Sequence, residues 1–195
     1  DHSFKLDHSN NIILLGDSFA EGYGVNLNNT SQKYIEELTG FNVLNFGVSK
    51  NFGPVQYSII YNEFAKEFKH DKVIIYFLPD NDFGENDYSN WGNSKRYRPY
   101  FKKIDPDLYE TFIPENAVKN YSSFTRKIKR NFQNYFWTSN LFINLNYQYK
   151  IYRSSKKNKK TDLSPYFNAP LYQQKAAIYF INKIIDNSTA DVILV

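Results

Sequence analysis

The stretch Ile12-Ile13-Leu14-Leu15-Gly16-Asp17-Ser18-Phe19 decides the fold of this chain. Four aliphatic residues in a row read as a buried strand. The run breaks on a glycine, then presents a carboxylate and a hydroxyl before a second glycine-rich turn, Glu21-Gly22-Tyr23-Gly24. A serine on the turn leaving the C-terminal end of a first strand stands where open α/β sheets bind ligands. That is where a nucleophile would be placed.

Outward from this point, residues up to about 80 alternate strand and helix. Thr30 or Ser31 can cap a helix that buries Tyr34, Ile35 and Leu38 and stops at Gly40. Asn42-Val43-Leu44-Asn45 is a short second strand. Phe46 to Gly53 is a loop leading to Pro54, a favourable first-turn residue for a helix. That helix carries Ile59, Ile60, Phe64 and Phe68 at helical spacing and ends near His70. Val73-Ile74-Ile75-Tyr76-Phe77-Leu78 is a third strand, apolar on both faces and therefore central and parallel. Short βα links imply right-handed crossovers. The expected fold class is α/β.

The pattern changes after Pro79. To about Pro114 the residues are mainly Asp, Asn, Gly and aromatic, as in long loops, with Tyr97-Arg98-Pro99-Tyr100-Phe101 as a short extended piece. Phe124, Ile128, Phe132, Tyr135 and Phe136 recur at helical spacing. From Asn116 to Thr161 there are eleven Lys and Arg residues and no Asp or Glu. This suggests a basic, aromatic-rich helical or lid insertion at about 116–162, with a mobile loop from Arg153 to Asp162. A last helix, roughly Tyr172 to Asn187, uses Ala176, Ala177, Phe180, Ile181, Ile184 and Ile185 as its core stripe. Asp191-Val192-Ile193-Leu194-Val195 then has the pattern of a buried strand entering the sheet.

The chain has 195 residues, enough for one α/β domain and short for two. Hydrophobic residues at 42% and charged residues at 23% are the balance of a globular protein rather than a disordered one. The absence of Cys removes disulfides, thiolate catalysis and Cys-bound zinc, but leaves the compartment open. The absence of Met and the strand-like last residues lead us to expect a domain incomplete at both ends. No apolar run approaches the roughly 20 residues of a membrane span.

In a parallel sheet the loops after the three strands meet at one edge. The first supplies Ser18. The second, Asn45 to Pro54, has glycines that allow backbone N–H groups to approach a substrate closely. The third, Pro79-Asp80-Asn81-Asp82-Phe83, carries a side-chain amide. Acyl transfer needs a nucleophile and donors aimed at the developing oxyanion. The Ser18 N–H, an N–H of the second loop and the Asn81 amide would make such a set.

Gly16-Asp17-Ser18-Phe19 after the first strand, Asn45-Phe46-Gly47 with Gly53-Pro54 after the second, and Asn81-Asp82-Phe83 after the third resemble the SGNH (GDSL-type) hydrolase superfamily. The resemblance implies a three-layer α/β/α, flavodoxin-like domain over residues 1–195 that acts on acyl esters of carbohydrate or lipid, by hydrolysis or by transfer. It makes Ser18 the nucleophile and Asn81 an oxyanion donor, with Gly16, Asp17, Gly47 and Gly53 supporting the loops. Where the family's second block has a donor glycine this chain has Lys50, so the donor N–H belongs to Lys50 or Asn51. The family's catalytic base lies in an Asp-x-x-His block after the last strand. None of His2, His8 and His70 stands in one, and we expect that block beyond Val195. Neither a metal nor an organic cofactor is implied.

Other readings compete. Ser18, Asn81 and Asp82 are also ordinary cap and turn residues, and His70 reads as a helix-end residue. An Asp80/Asp82 metal site lacks further oxygen ligands in the sequence. Gly16 to Gly24 fits neither a P-loop nor a dinucleotide fingerprint. The basic stretch is a solvated face, or a lid bordering the pocket that favours acidic glycans or anionic head groups. No nucleic-acid module accompanies it, and the net charge is only +4. From a different functional class, a glycan- or lipid-binding domain could keep this fold without the base.

Overall fold

The computed structural model describes residues 10–90, 96–115, 145, 148–149 and 169–195. Within them, in chain order, stand β1 (Asn11–Leu15), α1 (Ser18–Glu21), α2 (Ser31–Thr39), β2 (Asn42–Asn45), α3 (Pro54–Glu63) and β3 (Lys72–Ile75). Then come α4 (Asp82–Glu85), β4 (Tyr100–Asp105), β5 (Leu108–Phe112), α5 (Leu171–Asn187) and β6 (Asp191–Leu194).

Four strands form one sheet in the order β2-β1-β3-β6, every pair parallel. The chain moves from β1 to β2 on one side, then crosses back to place β3 on the other. β1 and β3 therefore flank a topological switch point, as in doubly wound, flavodoxin-like sheets. Alternation along β1 separates two cores. Ile12 and Leu14 pack with Ala20 of α1 and Val43, with Ile35 of α2 against them. Ile13 and Leu15 pack on the opposite face with Tyr57 and Tyr61 of α3 and Ile181 and Ile184 of α5. Helices thus cover both faces, giving three layers. The protein is α/β.

Local chemistry sets the helix ends. The Thr30 hydroxyl accepts from the Lys33 N–H and opens α2, and Gly40 closes it at φ 72°. Proline occupies the first position of α3, and the Gln56 side chain reaches back to the Gly53 N–H at 3.0 Å. Among the described residues no helix is long and apolar enough to cross a membrane.

Several expected burials are corrected. Tyr34 and Leu38 of α2 are exposed, because Gln32 and Ile35 occupy the sheet-facing side. Gln32 is buried with its polar ends satisfied by the Val43 carbonyl and the Asn45 amide. Phe64 is exposed because α3 ends at Glu63 and continues as a 3₁₀ turn, Ala65–Glu67, so the helical spacing no longer holds. Ile185 is exposed on α5. β6 lies at the edge of the sheet with Ile193, Leu194 and Val195 exposed rather than buried. The described part of Pro79 to Pro114 is not all loop. It contains the hairpin β4–β5, turning at Pro106-Asp107 and packing Phe101 and Tyr109 on Val55, Ala176 and Phe180. The basic stretch 116–162 lies, apart from three positions, outside the described residues, as do His2 and His8.

Candidate active site

The loop after β1 is built to turn sharply. A Cβ on Gly16 would stand 2.7 Å from the Ala20 Cβ and 3.1 Å from the Tyr76 carbonyl, so only glycine lets α1 fold back beside β3. The buried Asp17 caps α1: its Oδ1 accepts the Phe19 N–H at 2.9 Å. Ser18 is the first residue of that short helix and is half-buried. Its hydroxyl and its N–H make no hydrogen bond with the described residues.

The loop after β2 is tied to either side of Ser18. The Val48 N–H donates to the Gly16 carbonyl at 3.0 Å, and the Ser49 N–H to Glu21 Oε2 at 2.7 Å. Gly47 packs so closely that a Cβ there would stand 2.3 Å from the Glu21 nitrogen. Lys50 and Asn51 follow in left-handed conformation, at φ 80° and 66°. The N–H groups of Lys50 and Asn51 make no hydrogen bond of good geometry with the described residues, whereas those of Gly47 and Gly53 do. Gly53 has no room for a side chain, with Asn86 Oδ1 2.7 Å from where its Cβ would be.

The loop after β3 closes the group. Asn81 Nδ2 donates to Asp17 Oδ2 at 3.2 Å and to Glu85 Oε1 at 3.1 Å, while its own Oδ1 is buried with no partner. The same Glu85 Oε1 accepts from Asn51 Nδ2 at 3.0 Å. A chain of hydrogen bonds, Asp17–Asn81–Glu85–Asn51, therefore joins all three loops across the switch point. The sequence-derived residues Ser18, Lys50, Asn51 and Asn81 come together at this edge. His70 does not. It precedes β3, bonded to the Tyr61 hydroxyl at 3.1 Å and the Phe68 carbonyl at 2.6 Å. The length of the strands, about 3.3 Å per residue, separates it from Ser18.

No family model matches the chain, and no curated protein matches it by sequence. Solved structures share part of the fold. A G-D-S-L-family protein from Desulfitobacterium hafniense DCB-2 is 24% identical over 35% of this chain and 38% of its own, with a TM-score of 0.29. AlinE4, an esterase of the SGNH-hydrolase family, is 18% identical over 42% of this chain and 51% of its own, with a TM-score of 0.31. The chain thus spans about half or less of the structures it matches.

Beneath the three loops lie ionisable groups: Asp82, which the sequence offered only as a turn residue or metal ligand, and Glu85 and Arg98, which it did not single out. Asp82 is almost fully buried; its Oδ2 accepts the Leu78 N–H at 2.9 Å and its Oδ1 lies 3.1 Å from the Tyr57 hydroxyl. Burial pushes its carboxyl up to about 8, with the nearby Glu85 and Asp17 charges adding to the rise. The neutral acid fits its surroundings: its O–H can donate to Tyr57, whose own hydroxyl donates to the Phe52 carbonyl at 3.0 Å. Burial likewise raises Glu85, against the opposing hydrogen bonds from Asn51 and Asn81. Arg98 lies buried beside them, donating to the Asn51 and Glu85 carbonyls. Asn81 and Glu85 stand four apart, a helical pairing visible in the sequence. Nothing local in the sequence marks Arg98, which reaches Asn51 from 47 residues away. Among the described residues no cluster of three or more His, Asp or Glu is arranged to hold a metal ion.

Proposed function

We propose that this chain carries the nucleophile and oxyanion donors of an SGNH-type serine esterase or acyltransferase acting on acetyl or short acyl esters of carbohydrate or lipid. The observation that carries this reading is the state of Ser18. It sits at the C-terminal end of β1, at the switch point, with its hydroxyl and N–H unbonded within the described chain. The neighbouring loop offers further unbonded N–H groups at Lys50 and Asn51. The order of the three sequence blocks supports the same reading.

In this mechanism Ser18 Oγ attacks the acyl carbonyl while a base removes its proton. The carbonyl oxygen becomes an oxyanion held by the Ser18 N–H and an N–H of Lys50 or Asn51. Collapse expels the alcohol, which takes the proton from the base. Water or a second alcohol then releases the acyl group by the reverse sequence. The resemblance assigns the base to the His of an Asp-x-x-His block. For Asn81 to join the oxyanion donors, its amide must exchange one of its bonds to Asp17 and Glu85 for the substrate oxygen.

Ser18→Ala in the natural full-length protein tests the reading. Turnover of p-nitrophenyl acetate should fall at least about 1000-fold; undiminished turnover would refute the nucleophile assignment. The engagement of Asn81 by two carboxylates also suits a domain of this fold that binds glycan or lipid without cleaving it. That alternative predicts ligand binding with no reaction at Ser18.

A further inference from the structure

Lys50 and Asn51, at φ 80° and 66°, stand in the left-handed region, which costs Lys50 about 1 kcal/mol or more and Asn51 less. The two form a mirror-image turn, and its carbonyls are held from outside. The holding groups come from the arm that leads into β4. Arg96 Nη1 donates to the Lys50 carbonyl at 3.1 Å and to Asn51 Oδ1 at 3.3 Å. Arg98 Nη1 donates to the Asn51 carbonyl, and its Nη2 to the Glu85 carbonyl at 2.5 Å. The Arg98 guanidinium lies 5.0 Å from the centre of the Tyr100 ring, and the residue is only 5% exposed.

A guanidinium buried to this degree is expensive and needs firm partners. Here its fork grips main-chain carbonyls of two separate loops. In a planar trans peptide unit the C=O and the following N–H point in opposite directions. Drawing the Lys50 carbonyl toward Arg96 therefore turns the Asn51 N–H the other way, and Arg98 fixes the peptide that follows. The Asn51 N–H is unbonded within the described chain, while the N–H groups of Gly47, Val48, Ser49 and Gly53 around it are all bonded.

We propose that the Arg96–Arg98 arm is a positioning element that locks Lys50 and Asn51 in the left-handed conformation and so presents the Asn51 N–H group to the acyl oxyanion. The inference rests on the esterase reading above. Through the Glu85 carbonyl, Arg98 also ties this loop to α4, which follows Asn81 directly. Both arginines act through the loop, as positioning residues. Donors held ready for the oxyanion strengthen in the transition state, so loosening them lowers kcat and leaves KM.

The test uses the natural full-length protein, wild type, Arg98→Lys and Arg96→Ala. Lysine keeps the charge and loses the fork. The readouts are kcat and KM on p-nitrophenyl acetate, affinity for an alkyl boronic acid that forms a tetrahedral adduct on a serine, and Tm. Arg98→Lys should lower kcat about 10- to 100-fold and boronate affinity in proportion, with KM within about twofold. Arg96→Ala should lower both several-fold, and it decides the matter should Arg98→Lys fail to fold. Folded variants whose kcat and boronate affinity match wild type would overturn the proposal while leaving the esterase reading intact. A wild type that neither cleaves the ester nor binds the boronate would instead remove that reading, and this proposal with it.

Discussion

The Asn81 amide nitrogen lies 3.2 Å from Asp17 Oδ2, bridging the loops that leave β1 and β3 at the point where the strand order reverses. Its second hydrogen is directed to Glu85, and Glu85 in turn holds Asn51. Asn81 is thus the junction of the three loops. Asn81→Ala should lower kcat for ester turnover about 100- to 1000-fold. The loss should exceed what a drop of about 1–2 kcal/mol in folding stability explains. Steady-state kinetics alongside urea unfolding separate the two effects; a kcat within about threefold of wild type would remove Asn81 from the oxyanion donors.

Asp17 serves the Phe19 N–H with one oxygen and Asn81 with the other. Asp17→Ala removes the α1 cap and leaves an amide hydrogen of Asn81 without its acceptor. A loss of about 2 kcal/mol is expected, read as a lower urea midpoint with an unchanged slope.

Asp82 makes stability fall as pH rises. In the folded chain its carboxyl sits at about 8 against an ordinary 3.8. The folded state thus keeps a proton that the unfolded chain has released. The stabilisation is complete below about pH 4, declines by up to about 1.4 kcal/mol per pH unit, and is lost once pH passes about 8. Asp82→Asn reproduces the neutral acid, with an N–H for Tyr57 and an oxygen for the Leu78 N–H. Urea unfolding at pH 5, 6.5 and 8 should show the variant gaining on wild type as pH rises; parallel profiles would contradict the neutral buried acid.

Gly47→Ala meets main chain rather than a side chain that can swing away, at 2.3 Å from the Glu21 nitrogen and 2.6 Å from the Ala20 carbonyl carbon. The loop after β2 must lift from α1. A destabilisation of about 1–3 kcal/mol or more is expected, together with slower reaction at Ser18. Thermal melts check the first part. A variant as stable as wild type would show that this loop does not pack on α1.

The sheet was legible because its strands are short, apolar and bounded by turn residues. Asn42 to Asn45 coincides with β2, and Thr30, Gly40 and Pro54 act as the caps their chemistry suggests. Faces were harder to read. Buried Gln32 is satisfied by the Val43 carbonyl and Asn45, contacts that exist only once β2 lies beside α2. The hairpin β4–β5 was missed because only Tyr100, Phe101 and Tyr109 of its strands are buried, while Lys102, Lys103 and Glu110 are exposed. Its turn, Asp105-Pro106-Asp107, was the available signal. At the site, the residues standing next to strand ends were visible. Arg98 was not, and Glu85 only through its spacing from Asn81, because a buried charge is identified by partners far away in sequence.

The most direct test of the account is to treat the natural full-length protein with a fluorophosphonate and map the modified peptide by mass spectrometry. A single phosphonyl adduct on Ser18, absent after Ser18→Ala, is expected. A protein that stays unmodified, or an adduct on another residue with Ser18 untouched, would contradict it.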